Sequence, residues 1–334
     1  MPKAFICGCS SLGLTPEERS FLREEQPWGL ILFKRNVSDR NQLRALTRSF
    51  RDCVGRSEAP VLIDQEGGRV QRMGPPHWPA YPTAAAIEAG LPPSEAEAAA
   101  RLVARLIAAD LSEVGITVDC APVLDVSDAE THAAIGSRAF SQDPGRVAAM
   151  ARAFAAGLLA GGVLPVVKHM PGHGRARSDS HFALPVVQAA REELRRDFAP
   201  FAALKDLPMA MTAHVVYSAL DAQRPATTSP IVVREIMRGE IGYDGLIMSD
   251  DISMKALHGY YEERAQAIFD AGLDLVLHCN GDLAEARAVS SVAPELSGDA
   301  LHRAEAALAA RRAPQAFDRN EAEARLAATV SKLA

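Results

Sequence analysis

The sequence predicts an α/β fold, a single (β/α)8 TIM barrel with extra helices after the last strand. Eight short apolar segments alternate with longer segments of helical periodicity along the 334 residues, which is typical of a barrel in which each parallel strand is followed by a helix. Most of the apolar segments end in a charged residue or a histidine, and a barrel brings such ends together at one mouth. Because no linker or repeat interrupts the pattern, we predict one domain over residues 1–334.

The first half of the chain contains four predicted strands and three predicted helices. The first helix begins at Pro16, because Thr15 can act as N-cap, Glu18 can complete a capping box and proline fits the first helical position. Pro27 ends this helix. The other helices are predicted at residues 39–53 and 94–114, and the strands at residues 4–7, 29–33, 61–64 and 117–123.

The second half continues the alternation with four more strands. Ser229 and Pro230 predict the start of one helix, and the alanine-rich region from residue 282 onwards predicts two or three helices without another strand. The other helices are predicted at residues 144–159, 188–205 and 262–271, and the strands at residues 163–167, 209–212, 245–248 and 273–277.

Composition and charge exclude several classes of protein. The net charge of −6 argues against a nucleic-acid-binding protein or a basic membrane-binding surface. The five cysteines are scattered without a CxxC spacing, which argues against disulfides and a structural zinc site and favours a reducing compartment. No signal-peptide pattern and no run of 18 apolar residues is visible. We therefore expect a cytoplasmic monomer that binds neither nucleic acid nor membranes.

A histidine-rich segment follows the fifth predicted strand. It reads Lys-His-Met-Pro-Gly-His-Gly from Lys168 and continues to Asp179-Ser180-His181. Three interpretations are open: a structural loop, a metal site and an acid–base site. None of the zinc-hydrolase spacings such as HExxH occurs here. In the acid–base interpretation, Asp179 orients His181 and raises its basicity, since residues two apart in an extended loop lie on the same side.

These motifs closely resemble the signature of glycoside hydrolase family 3 β-N-acetylglucosaminidases. The similarity extends over most of the chain in the family's order, and its one departure is Met170, where the family usually has an aromatic residue. Methionine tolerates such a change in volume. The further motifs that carry the resemblance are LILFKRN at residues 30–36, DQEGGRVQR at 64–72, APVLDV at 121–126, MTAH at 211–214 and SDDISM at 249–254.

The resemblance implies a role for eight residues. Asp250 would be the nucleophile that forms a covalent glycosyl-enzyme, His181 the general acid–base and Asp179 its orienting partner. Hydrolysis would then proceed in two displacements with retention of configuration, without a metal or cofactor. The residues implied to bind the sugar are Asp64, Arg72, Arg138, Lys168 and His169.

The chemistry of these residue types agrees with the implied roles. An aspartate has an ordinary pKa of about 4 and is ionised at neutral pH, as a nucleophile must be. An imidazole, with a pKa of about 6.5, can first donate and then accept a proton. Most retaining glycosidases use two carboxylates instead, so an aspartate–histidine pair departs from that norm.

Neighbouring residues allow alternative assignments. Asp251 could be the nucleophile, but successive residues on a strand point to opposite faces, so we expect only one of the pair to face the mouth, and the motif favours Asp250. Glu66 could be an acid, although Gly67 and Gly68 indicate a tight turn in which it is structural. We expect His173 to be a hydrogen-bonding strut, and His214 and His278 to lie either at the mouth or in the core.

The resemblance also implies a substrate. This is a bacterial cell-wall turnover fragment in peptidoglycan recycling, N-acetylglucosamine linked to 1,6-anhydro-N-acetylmuramic acid with or without its peptide. Three alternatives remain open: a β-glucosidase, a phosphorylase in which phosphate replaces water, and a sugar-binding barrel without catalytic activity.

Overall fold

The computed structural model describes residues 1–180 and 183–331. Within them, eight parallel strands form a closed barrel in which each strand pairs with its neighbours in sequence and the last strand pairs with the first. The predicted (β/α)8 barrel is therefore confirmed. The barrel strands are Lys3–Cys7 (β1), Pro27–Leu32 (β2), Val61–Ile63 (β3), Val118–Asp119 (β4), Leu164–Met170 (β5), Met209–Thr212 (β6), Leu246–Asp251 (β7) and Leu275–His278 (β8).

Helices surround the barrel and also follow its last strand. The predicted capping box is present, since Glu18 N–H donates to Thr15 Oγ1 at 3.2 Å and Thr15 N–H donates to Glu18 Oε2 at 2.8 Å. No helix in the described ranges has the length and apolar character needed to cross a membrane. The α-helices are Pro16–Glu25 (α1), Arg40–Val54 (α2), Ala84–Gly90 (α3), Pro93–Glu113 (α4), Pro144–Ala160 (α5), Arg191–Ala203 (α6), Tyr261–Asp270 (α7), Leu283–Val292 (α8), Gly298–Ala309 (α9) and Arg319–Val330 (α10).

The structure differs from the predicted elements at several places. Strand β5 continues past residue 167 to Met170, and two small two-stranded sheets lie outside the barrel. Strand β4 is shorter than predicted, although beyond it the oxygens of Ala121 and Pro122 still accept hydrogen bonds from β5 and a bridge joins Val123 to Lys168. Strand β7 continues past residue 248 to Asp251, which pairs with Leu277. The sequence analysis did not predict α3, which Thr83 caps. The helix after Ser229, Val232–Glu240, has π-type hydrogen bonding.

Two apolar layers hold the barrel together. One lies between the strands and the surrounding helices, and the other fills the barrel interior with side chains such as Ile6, Leu62 and Met209. Ala304 and Ala307 of α9 pack against the interior layer and close the end at which the strands begin. The opposite end, where the strands finish, is left for polar side chains.

Helix α10 is attached to the barrel by a buried carboxylate. Asp110 of α4 is fully buried, accepts a hydrogen bond from Tyr81 Oη at 2.6 Å and forms an ion pair with Arg319 Nη2 at 2.7 Å. A buried carboxylate that loses its cationic partner is strongly destabilising.

Replacing Arg319 by alanine is therefore expected to lower the free energy of unfolding by about 3 kcal/mol. Urea denaturation of the Arg319→Ala variant measures this loss. The matched control is Arg325→Ala, because Arg325 is exposed on the same helix and its removal is expected to cost about 0.5 kcal/mol or less. Equal losses in the two variants would contradict the role of the Asp110 ion pair.

Candidate active site

A cavity of about 280 Å³ opens at the carboxyl ends of the barrel strands, the end at which barrel enzymes bind their substrates. Two of the carboxylates predicted to take part in catalysis, Asp179 and Asp250, border it. The third predicted catalytic residue, His181, lies outside the described residues. All five residues predicted to bind sugar also border the cavity, namely Asp64, Arg72, Arg138, Lys168 and His169.

Lys168 forms ion pairs with two carboxylates, Asp64 and Glu66. Its side chain is only 2% exposed, and Nζ lies 2.9 Å from Asp64 Oδ1 and 2.6 Å from Glu66 Oε1. The other oxygen of Asp64 accepts from Arg72 Nη2 at 2.9 Å. Burial alone would lower the pKa of Lys168, but Asp64 and Glu66 outweigh it and raise that pKa. Lys168 and Asp64 are therefore a charged pair at neutral pH.

Glu66 fixes the guanidinium of Arg138 in a bidentate ion pair. Arg138 Nε and Nη2 donate to the two oxygens of Glu66, each at 2.8 Å, which is the geometry that orients arginine most strongly. Burial would raise the pKa of Glu66, but Arg138 and Lys168 outweigh it and lower the pKa to about 2. Gly67 and Gly68 do form a turn with positive φ, as predicted. The sequence analysis nevertheless missed that Glu66 belongs to the site.

One sequence signal could have found Glu66. Asp64 and Glu66 are two residues apart next to a strand, and residues at that spacing point to the same side. Both carboxylates do meet the same amine of Lys168.

A fully buried carboxylate, Asp125, orients His169. Asp125 Oδ2 lies 2.7 Å from His169 Nδ1, and its other oxygen accepts from the main-chain N–H of His173 at 2.6 Å. Burial would raise the pKa of Asp125, but His169 outweighs it and the pKa is lowered to about 2. Because Arg138 Nη2, which can only donate, lies 3.4 Å from Nε2, Nδ1 carries the proton and donates to Asp125. Asp125 belongs to the motif APVLDV at residues 121–126, and no role was predicted for it.

Asp250 and Asp251 both border the cavity, so the expectation that only one of them faces the mouth is wrong. Their surroundings still differ. Asp251 Oδ1 accepts from the main-chain N–H groups of Ser253 and Cys279, both at 3.0 Å, and Oδ2 accepts from Ser253 Oγ at 2.5 Å. Asp251 thus fastens the ends of β7 and β8 together.

Asp250 has a different environment. Its Oδ1 accepts the N–H of Asp251 at 2.8 Å. Burial would raise the pKa of Asp250, but His214 and His169 outweigh it and hold the pKa below its usual value. Asp250 is therefore ionised at neutral pH and next to the cavity.

Three further histidines were singled out in the sequence, namely His173 in the loop after β5, His214 just after β6 and His278 at the end of β8. His173 Nε2 lies 3.3 Å from Ser180 Oγ, and burial lowers the pKa of His173 to about 4, so it is a neutral contact of the segment that carries Asp179. His278 lies 3.0 Å from Glu285. Neither His214 nor His278 borders the cavity. Within residues 1–180 and 183–331, no group of three or more His, Cys, Asp or Glu side chains is arranged to hold a metal ion.

A (β/α)8 barrel with ionised carboxylates and oriented cations around one small cavity is the arrangement expected of a glycoside hydrolase. The family model described as the glycosyl hydrolase family 3 N-terminal domain matches residues 11–312. The chain belongs to glycosyl hydrolase family 3.

Similar proteins of known name agree with this assignment. A beta-hexosaminidase of Methylococcus capsulatus is 42% identical over 276 residues, 80% of this chain and 80% of that protein. A beta-hexosaminidase of Pseudomonas aeruginosa is 41% identical over 271 residues, 80% of this chain and 79% of that protein. The predictions of a glycoside hydrolase and of its resemblance to family 3 β-N-acetylglucosaminidases are therefore confirmed.

Solved structures give the same result. NagZ from Neisseria gonorrhoeae in complex with N-trifluoroacetyl-D-glucosamine has a TM-score of 0.83 and 32% identity and covers 99% of this chain and 96% of its own. A glycoside hydrolase family 3 beta-N-acetylglucosaminidase from Paenibacillus has a TM-score of 0.86 and 28% identity and covers 98% of this chain and 67% of its own.

Proposed function

We propose that residues 1–334 form one catalytic domain, a retaining exo-β-N-acetylglucosaminidase that removes terminal β-linked N-acetylglucosamine. The observation that carries this proposal is that ionised Asp250 borders the same cavity as the Lys168–Asp64 pair and as Arg138, which Glu66 holds in an ion pair. A glycosidase needs a carboxylate beside a set of fixed polar groups that hold one sugar ring.

The first step is binding of the terminal sugar. Ligand pockets commonly enclose about 300–1,000 Å³, and a cavity of about 280 Å³ suits a single sugar residue. Asp64, held by Lys168 and Arg72, would accept hydrogen bonds from sugar hydroxyls. Arg138 would donate a hydrogen bond to the same sugar residue, and Nε2 of His169 would accept one. Because their ion-pair and hydrogen-bond partners already fix these side chains, little conformational entropy is lost when the sugar binds.

The chemical step would begin with attack of Asp250 on the anomeric carbon. The C–O bond to the leaving sugar breaks, and His181 gives a proton to the departing oxygen. Water then loses a proton to His181 and displaces Asp250 from the anomeric carbon, with retention overall. Asp179, which borders the cavity, would orient His181. The low pKa of Asp250 supports its role as nucleophile.

The natural substrate would be a fragment of peptidoglycan in which N-acetylglucosamine is joined to 1,6-anhydro-N-acetylmuramic acid, with or without peptide. The naming of the relatives as beta-hexosaminidases supports an N-acetylhexosamine as the terminal sugar. A complex of the Neisseria protein with an N-acylated glucosamine supports it as well.

The deciding assay measures release of a chromogenic leaving group from a β-N-acetylglucosaminide and from a β-glucoside, each with and without phosphate. The expected result is fast cleavage of the first only, unchanged by phosphate. Preference for the glucoside would make the protein a β-glucosidase. A rate that rises with phosphate and yields a sugar phosphate would make it a phosphorylase. Sugar binding without cleavage would leave a non-catalytic barrel.

A further inference from the structure

His214 is a fully buried histidine that has no part in the mechanism above. It follows β6, and its Nε2 lies 3.0 Å from the main-chain oxygen of Asp251, the last residue of β7. Its Nδ1 lies 2.8 Å from Oγ1 of Thr227, in the short turn Ala226–Thr228. The ring therefore bridges this turn and the end of the strand that carries Asp250.

The hydrogen bonds of the ring decide its tautomer. A carbonyl oxygen only accepts, so Nε2 must donate to Asp251. Thr227 Oγ1 has one hydrogen and lies within reach of Nδ1 at 2.8 Å and of the oxygen of Ala213 at 2.9 Å. It can also accept from Thr212 Oγ1 at 2.8 Å, which leaves its own hydrogen for one of the other two. Donation to Ala213 would require a second ring proton at Nδ1. Burial lowers the pKa of His214, which favours the neutral ring, in which Nδ1 accepts from Thr227.

The main chain at Asp251 is held on both sides. Its N–H donates to Asp250 Oδ1 at 2.8 Å, and its carbonyl accepts from His214 at 3.0 Å. The titratable groups that act on Asp250 include His214 after β6, His169 and Lys168 from β5, His173 in the loop after β5 and Cys279 after β8. Those that face His214 are Asp250, Asp251 and His169. A shift of the Asp251 peptide would move the hydrogen bond that orients Asp250.

We propose that His214 is a positioning residue for hydrolysis: its Nε2–H tautomer, set by Thr227, holds the main chain at Asp251 and thereby aims the carboxylate of Asp250. The proposal rests on the proposed function, in which Asp250 is the nucleophile. Because His214 does not border the cavity, its loss lowers kcat far more than it changes KM. A misplacement of about 1 Å at a reacting group can cost roughly 100-fold in rate.

Two substitutions separate this role from simple packing. In His214→Gln, the side-chain amide nitrogen replaces the Nε2–H donor to Asp251. In His214→Asn, the side chain is too short to reach Asp251 and can keep only the hydrogen bond to Thr227. We expect His214→Asn to lose about 100-fold in kcat with KM within about threefold, and His214→Gln to stay within about fivefold in both. Equal losses in kcat for the two variants, or a loss expressed mainly in KM, would overturn the proposal.

The pH profile supplies a readout that a packing role would not change. Asp250 must be ionised to attack, and the Asp251 N–H that donates to its Oδ1 favours the ionised form. When the Asp251 peptide is no longer held by residue 214, this hydrogen bond weakens and the pKa of Asp250 rises. The acidic limb of kcat/KM is therefore expected to move to higher pH in His214→Asn and to stay in place in His214→Gln. An acidic limb that does not move in His214→Asn counts against the proposal.

A measurement without turnover tests the tautomer itself. The ¹⁵N NMR signals of the two ring nitrogens differ between tautomers, and those of His214 are identified by their absence from His214→Gln. The neutral Nε2–H form is expected in the wild type, and a mixture of forms in Thr227→Val. A doubly protonated or Nδ1–H ring in the wild type would overturn the proposal. If the wild type cleaved no β-N-acetylglucosaminide, the proposed function would fail, whatever the tautomer.

Discussion

The Asp250→Ala variant is expected to lose roughly 10⁵-fold in kcat and still to bind N-acetylglucosamine. The carboxylate that would attack the anomeric carbon is gone, whereas Asp64, Lys168 and Arg138 keep their ion pairs on the other side of the cavity. Steady-state hydrolysis of a chromogenic β-N-acetylglucosaminide measures the loss. Calorimetric titration with N-acetylglucosamine measures the retained affinity.

Chemical rescue by azide tests whether Asp250 is the nucleophile. In Asp250→Ala, azide can enter the vacated space and attack the anomeric carbon from the side the carboxylate used, which gives the α-glycosyl azide. The matched control is Asp251→Ala, because Asp251 also borders the cavity but bonds to Ser253 and Cys279. We expect a loss of less than about 100-fold there and no azide product. Azide rescue of an Asp251 variant instead would move the nucleophile to Asp251.

The Lys168→Met variant is expected to lose both stability and sugar binding. Lys168 lies within 2.9 Å of Asp64 and 2.6 Å of Glu66, and removing it leaves buried carboxylates without that cation. The expected loss in the free energy of unfolding is about 3–5 kcal/mol. The affinity for N-acetylglucosamine is expected to fall about 10- to 100-fold, as when a hydrogen bond to a charged group is lost. Urea denaturation and calorimetry measure the two effects.

The double variant Lys168→Met, Glu66→Gln separates these two effects. Replacing Glu66 by glutamine removes one of the charges that Lys168 compensates, so part of the lost stability is expected to return. Sugar affinity is expected to stay low, because Asp64 still lacks the amine and Arg138 loses its bidentate partner. A double variant no more stable than Lys168→Met would mean that charge compensation is not the main role of the lysine.

Local patterns determined the order and type of most elements of this fold. The predicted strand at residues 209–212 coincides with Met209–Thr212, and the capping box at Thr15 and Glu18 is present, because each depends on residues a few positions apart. The bounds of β4 and β7 were predicted less well. A strand ends where its neighbours stop pairing, as at Asp251 opposite Leu277, and the position of those neighbours is not a local property.

The sequence by itself determined the barrel, the family and seven of the residues that border the cavity. Tertiary structure alone decided which of their charges meet. Glu66 and Arg138 are 72 residues apart, and Asp125 and His169 are 44 apart, so no local spacing indicates either pair. The ionisation of Glu66 and Asp125 depends on these partners, because burial penalises a charge unless an opposite charge lies within a few ångströms. Asp250 and Asp251 are adjacent in the sequence and both border the cavity, and only their hydrogen-bond partners show that Asp251 fastens two strands together whereas Asp250 does not.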